Sequence, residues 1–263
     1  MRRSDVGLFL VVGALGVFVA AQVVERRPAA RPAAVPVRVA AAPQASPDTG
    51  PPPKHDLVAT SVHSTRLAPE RNLDQIRELI ASTPGTYMAD MLADLDGRLV
   101  RWPDRRQEGL RIWVQSATPV RDWDPRYAQM ARDAFDDWSR DAELPLRFDF
   151  VLDSVSADIR VEWTERFAAS FGQRVGTTRR TADQHGWLVS AEIVVAIHDS
   201  TGQTIPPDAL GGVVRHEAGH ALGMGHSNDP RTKMFPTEMI SAITSADRST
   251  LSLLYQLPPG LVK

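Results

Sequence analysis

Residues 216–226 read HEAGHALGMGH, and no other stretch of the 263-residue chain restricts its fold as tightly. His216 and His220 are four residues apart. On a helix of 3.6 residues per turn they leave one face, one turn apart, so both imidazoles can reach a single ion. Gly223 carries no Cβ, which lets the helix end there and the chain turn sharply. That turn can return His226 to the same ion as a third ligand. Glu217, next to His216, can approach a water on the ion without being a ligand itself. Three neutral imidazoles leave a fourth tetrahedral position open, the arrangement of a catalytic zinc site. Asp208 is placed to cap the helix that carries this pattern.

Other chemistries are excluded by what the chain lacks. It has no cysteine, so disulfides, thiolate-bound zinc, iron–sulfur clusters and thiol catalysis are all ruled out. With 43% apolar and 24% charged residues it is globular rather than disordered. Thirty basic residues against 32 acidic ones leave a formal charge of -2, which offers no basic field for nucleic acid. The other histidines, His55, His63, His185 and His198, lie near a linker or in isolation and read as surface or hydrogen-bonded residues rather than ligands.

Residues 7–24 form an uncharged, mostly apolar run, with Val19-Ala20-Ala21 as a usable cleavage site. Residues 1–27 therefore read as a membrane anchor or a signal peptide. Arg2 and Arg3 favour a cytoplasmic N-terminus, whereas Arg26, Arg27, Arg31 and Arg38 oppose it. Residues 28–55 are rich in proline and alanine and read as an extended linker. Residues 56–105 are an N-terminal extension or a propeptide, and residues 106–263 the catalytic domain.

Periodicity predicts short helices over 72–81 and 87–95, and a longer one from Asp124-Pro125 to about 140. Tyr127, Met130, Ala131, Ala134, Phe135 and Trp138 form the core-facing stripe of that longer helix. Strands are expected over 110–115, 146–152, 159–163, 187–189 and 192–197, and a last helix over 245–256. Asp90, Asp94 and Asp96 could in principle supply a carboxylate to zinc, but acids on a solvated helix face are the commoner case and they are read so.

The HExxHxxGxxH pattern followed by a methionine turn resembles the metzincin zinc peptidases. The finer resemblance is to the matrixin branch. His226-Ser227, Asp229-Pro230 and Met234-Phe235-Pro236 are similar to the HS…DP…MYP run of matrixins. Thr244-Ser245-Ala246-Asp247, leading to Leu254-Tyr255, is similar to their last helix, and Ala157-Asp158-Ile159-Arg160-Val161 to their third strand. Two features depart from the family. There is no cysteine switch, and the histidine-rich loop that binds a structural zinc in animal matrixins is missing, so the layout resembles a bacterial relative.

The resemblance implies an α+β zincin-like metzincin fold, in which a twisted mixed five-stranded sheet packs against the zinc helix, followed by the Met-turn and a C-terminal helix. It implies one catalytic Zn2+ on His216, His220 and His226, with structural zinc or calcium sites unassigned. Glu217 would be the general base for a zinc-activated water, and Met234 a packing floor. The implied substrate is a protein or peptide, lying extended along an edge strand between residues 173 and 190, with pocket walls from 236–245. Secretion, or tethering to a membrane through residues 7–24, follows if that segment acts as read. Two alternatives share the pattern: a catalytically inactive zinc-binding or adhesion module, and a metal-dependent amidase of non-protein substrates.

Overall fold

The structure, a computed structural model, describes residues 57–140, 142, 144–237 and 242–262. In chain order the elements are β1 (Leu57–Val62), α1 (Leu73–Ser82), α2 (Met88–Asp94), β2 (Arg98–Leu99), β3 (Arg105–Val114), α3 (Arg126–Ser139), β4 (Leu146–Val151), β5 (Ile159–Thr164), β6 (Gly176–Asp183), β7 (Leu188–Ala196), α4 (Pro207–Ala221), α5 (Ser245–Gln256) and β8 (Gly260–Leu261).

Six strands form one mixed sheet in the order β1-β6-β7-β5-β3-β4. β6 and β7 are antiparallel, and the other neighbours are parallel. Alternation sets the two faces. Ile112, Ile159, Val161, Ile193 and Val195 are fully buried on one face. Burial of each such side chain is worth about 1.5–3 kcal/mol. The opposite face carries charge, with Arg160 and Arg179 both paired to Glu192. α3 and α4 lie together, joined where the Trp138 indole donates to the Arg215 carbonyl at 2.8 Å and Arg215 pairs with Asp137 at 2.8 Å.

The five-stranded mixed sheet expected of the fold is present as β3–β7. β1 is a sixth strand, paired in parallel to β6 from Leu57 opposite Thr178 to Val62 opposite Asp183. The strands expected over 187–189 and 192–197 are one strand, β7. The β6–β7 register shifts between Thr181 and Ala182, and this slip breaks the alternation that made β7 read as two pieces.

Two caps also differ from expectation. Pro206 and Pro207 begin α4, so Asp208 sits in its first turn, where its charge favours the helix N-terminus, rather than at the cap. Pro125 takes the cap position of α3, and the Asp124 carboxylate accepts the Arg126 N–H at 2.8 Å. α5 spans the expected residues and opens on a capping box between Thr244 and Asp247.

The segment before β3 packs on this frame. Met88 and Met91 of α2 are fully buried. The Tyr87 hydroxyl donates to Asp247 Oδ1 at 2.7 Å, and the Trp102 indole donates to the Ala221 carbonyl at 2.8 Å. β2 pairs with β8. None of the described helices is long and apolar enough to cross a membrane. The apolar run 7–24, the linker and His55 lie outside the described residues.

Candidate metal centre

α4 carries His216 and His220 on its inner face, with their ring centroids 4.6 Å apart. The His226 ring lies 4.7 Å from His220 and 5.6 Å from His216. One ring nitrogen of each of the three lies within 4.8 Å of the others, the one such group of His, Asp or Glu among the described residues.

The outward nitrogens are held. His216 Nδ1 lies 2.9 Å from the Lys233 carbonyl, and His220 Nδ1 lies 3.0 Å from the Met224 carbonyl. A carbonyl only accepts, so each Nδ1 carries the proton and each Nε2 presents a lone pair. The Nε2 atoms of His216 and His220 are buried and make no hydrogen bond. Buried acceptors left so are rare unless an ion or water takes them. Burial, reinforced by the neighbouring imidazoles, drives the His216 pKa down to about 3 and the His220 pKa well below the usual histidine value. Both rings are neutral at neutral pH. Neutral imidazoles converging on one point fit a tetrahedral zinc.

The turn after α4 has its own supports. Gly223 has φ +109, and a Cβ there would run into the Val100 carbonyl. Both facts require glycine. The fully buried Arg180, on β6, donates from Nη1 to the His220 carbonyl at 3.1 Å and the Met224 carbonyl at 3.2 Å. Burial lowers its pKa to about 10, which leaves it cationic at the C-terminal end of α4, where a positive charge is favoured.

Glu217 is 2% exposed. Thr178, also on β6, donates to its Oε2 at 2.5 Å. Beside Glu217 and His216 opens a cleft of about 400 Å³, walled by Gly176, Val213, Pro236 and Thr237. The last two come from the segment expected to line the specificity pocket, while residues 238–241 lie outside the described residues.

Met234 is fully buried beneath α4. A Cβ on Gly219 would meet its Sδ at 2.5 Å, so the glycine between the two helical histidines admits the methionine. Its turn is fixed by Asp247, whose carboxylate accepts the Lys233 N–H at 2.9 Å, and by the Ser227 N–H bonding to the Met234 carbonyl at 2.9 Å.

His216, Glu217, His220, His226 and Met234 are thus brought together. His185 contacts Gln184, and His198 lies 2.9 Å from Asp122. Thr178 and Arg180 escaped sequence reasoning, and so did the role of Asp94 beside His226. Thr178 and Arg180 share one face of a strand, and a charged residue at an inward strand position is a signal that could have marked the second. Asp94 does not stand on a solvated helix face, because its side chain is 8% exposed and lies against His226. Nothing in the local pattern announces this.

Two imidazoles on a helix, a third returned by a glycine turn, a carboxylate alongside and a methionine floor define a metzincin-type zinc peptidase fold. The family model for the matrixins matches residues 113–256, more than half of the chain. The chain belongs to the matrixins, a family of zinc metallopeptidases. No curated protein matches it.

Proposed function

We propose that this matrixin is a zinc-dependent endopeptidase, with His216, His220 and His226 holding the ion and Glu217 as its general base. The observation that carries the reading is the convergence of three buried imidazoles beside a buried carboxylate that borders an open cleft. Zinc, when bound, supplies Lewis-acid polarisation of the peptide carbonyl and acidifies the attacking water. The Glu217 carboxylate accepts the proton of that water and passes it to the leaving amine. Thr178, hydrogen-bonded to Oε2, orients the carboxylate. Met234 packs beneath the rings and keeps their spacing. An inactive module has no use for a carboxylate so held. β6, bordering the cleft, favours an extended peptide over a compact amide.

The test is hydrolysis of a quenched-fluorescent peptide library by the full chain. Cleavage is expected with zinc, none after chelation, and recovery on adding zinc back. Zinc uptake without cleavage of any peptide would overturn the reading. The apolar run 7–24 and the Pro/Ala linker support an extracytoplasmic placement of the catalytic unit, secreted or membrane-tethered.

The edge where substrate was expected to pair is occupied in part. β1 covers β6 from Thr178 to Asp183, while Gly176 and Thr177 lie beyond its register. Past β1, Ser64 donates to Asp183 at 2.6 Å and Gln184 donates to the Ser64 carbonyl at 2.8 Å, which pins the segment. We read β1 as a self-occupant of the substrate edge, which an extended peptide must displace. In a parallel pair alternate residues point their N–H groups to one neighbour. Proline at both Val58 and Ala59 therefore removes a β6-facing donor whichever register parity holds. The double variant should cleave long peptides several-fold faster, since each 1.4 kcal/mol of self-pairing suppresses apparent affinity about tenfold. Short peptides confined to the cleft should be cleaved at the wild-type rate, and an equal gain on both would overturn the occlusion.

A further inference from the structure

The third histidine is held differently from the first two. His216 and His220 sit on a helix and direct Nδ1 to neutral carbonyls. His226 lies beyond the turn, on irregular chain, and directs Nδ1 to a carboxylate, that of Asp94, at 3.2 Å. The same carboxylate accepts the His226 backbone N–H at 2.9 Å. One side chain thus fixes both the ring and the peptide plane that carries it. Both partners are sequestered, the Asp94 side chain 8% exposed and the His226 side chain 7%.

Asp94 is the last residue of α2, outside the span 113–256 that matches the matrixins. The approach of α2 to the turn is close: a Cβ on Gly225 would come within 3.0 Å of Met91, Asp94 and Leu95. One turn earlier, Asp90 accepts the Asn228 N–H at 3.0 Å. α2 therefore grips the chain on both sides of His226.

We propose that Asp94 is a positioning residue of the metal centre, supplied by the segment before the matrixin core. It holds the proton of His226 on Nδ1, so that Nε2 faces the site, and it fixes the ring plane of the one ligand that no helix orients. Carboxylate–histidine pairs of this kind raise ligand basicity and set the tautomer. The segment carrying α2 is then a working part of the enzyme and is retained. The inference rests on the zinc reading above, and its test is built to fail separately.

The measurements are zinc affinity by competition with a chromophoric chelator and the visible spectrum of the cobalt(II)-loaded full-length protein. Asp94→Asn keeps size and one acceptor oxygen but faces Nδ1 with no anion, and Asp94→Ala removes the contact. Both should weaken zinc binding by about 10–100-fold, and both should shift the cobalt bands. Asp90→Ala serves as control, because it loosens the same helix from the same loop without touching a ligand. It should leave affinity and spectrum unchanged. Far-UV circular dichroism of the metal-free forms checks folding, and Asp94→Asn carries the test if the alanine variant misfolds. Equal loss in the Asp90 and Asp94 variants would reduce Asp94 to a prop for the loop and overturn the proposal, as would unaltered spectra in Asp94→Asn. A wild type that takes up no cobalt would instead overturn the zinc reading itself.

Discussion

Glu217→Gln is expected to lower kcat on peptides by at least about 10²-fold, the usual share of a general base, while one zinc per chain is retained. The substitution is nearly isosteric, and the amide oxygen can still accept the Thr178 hydroxyl that now bonds Oε2 at 2.5 Å. The space allowed to the side chain is narrow. A Cβ on Gly176 would meet Oε1 at 2.5 Å, so β6 presses directly on this group and holds the amide where the carboxylate stood. What changes is the ability to take a proton. KM should move little, because the cleft walls at Val213, Pro236 and Thr237 are untouched. Steady-state kinetics on a peptide from the library, with metal content measured on the same sample, checks the result. Wild-type turnover in the variant would remove Glu217 as the base. Loss of zinc along with activity would show that it acts through the metal site instead.

The parts of the centre that could be read in the sequence are those with local codes. The His216–His220 spacing means one helix face wherever it occurs, and Gly223 marks a turn because only glycine tolerates that backbone. α5 was legible through its apolar face and its likeness to the last matrixin helix, and the structure opens it on a capping box of Thr244 and Asp247. Residues whose role depends on distant partners were not. Asp94 on a short helix resembles any solvated acid until His226, 132 positions on, is placed against it. β1 follows a proline-rich stretch, and its partner strand, β6, begins more than 100 positions further along the chain. Arg180 breaks the apolar inward rule of β6 for a reason visible only once the end of α4 is above it. The metal ligands were therefore legible, while the groups that orient them were not.

The metal-free protein should lose stability steeply as pH falls below about 6.5, the histidine value of an unfolded chain. In the folded chain burial holds His216 near 3 and His220 well below its usual range. Between those limits the unfolded chain binds protons that the folded chain refuses, so stability falls with pH. It is fully present above the unfolded value and declines through the window from 6.5 toward 3. Each ring contributes roughly 1.4 kcal/mol per pH unit once the unfolded form is protonated. Two rings over a single unit remove nearly 3 kcal/mol, a large fraction of the 5–15 kcal/mol typical of a domain. Bound zinc opposes this by about 4 kcal/mol when present at 1,000 times its dissociation constant. Denaturant unfolding at pH 7, 6 and 5, in chelator and in zinc, measures both effects. Carboxylates also contribute to acid sensitivity, so the decisive comparison is with the His216→Asn, His220→Asn double variant in chelator. Its stability should fall less steeply over the same window, because the two groups that resist protonation are gone. If the slopes coincide, acid sensitivity arises elsewhere, and the two imidazoles are not held neutral by the fold.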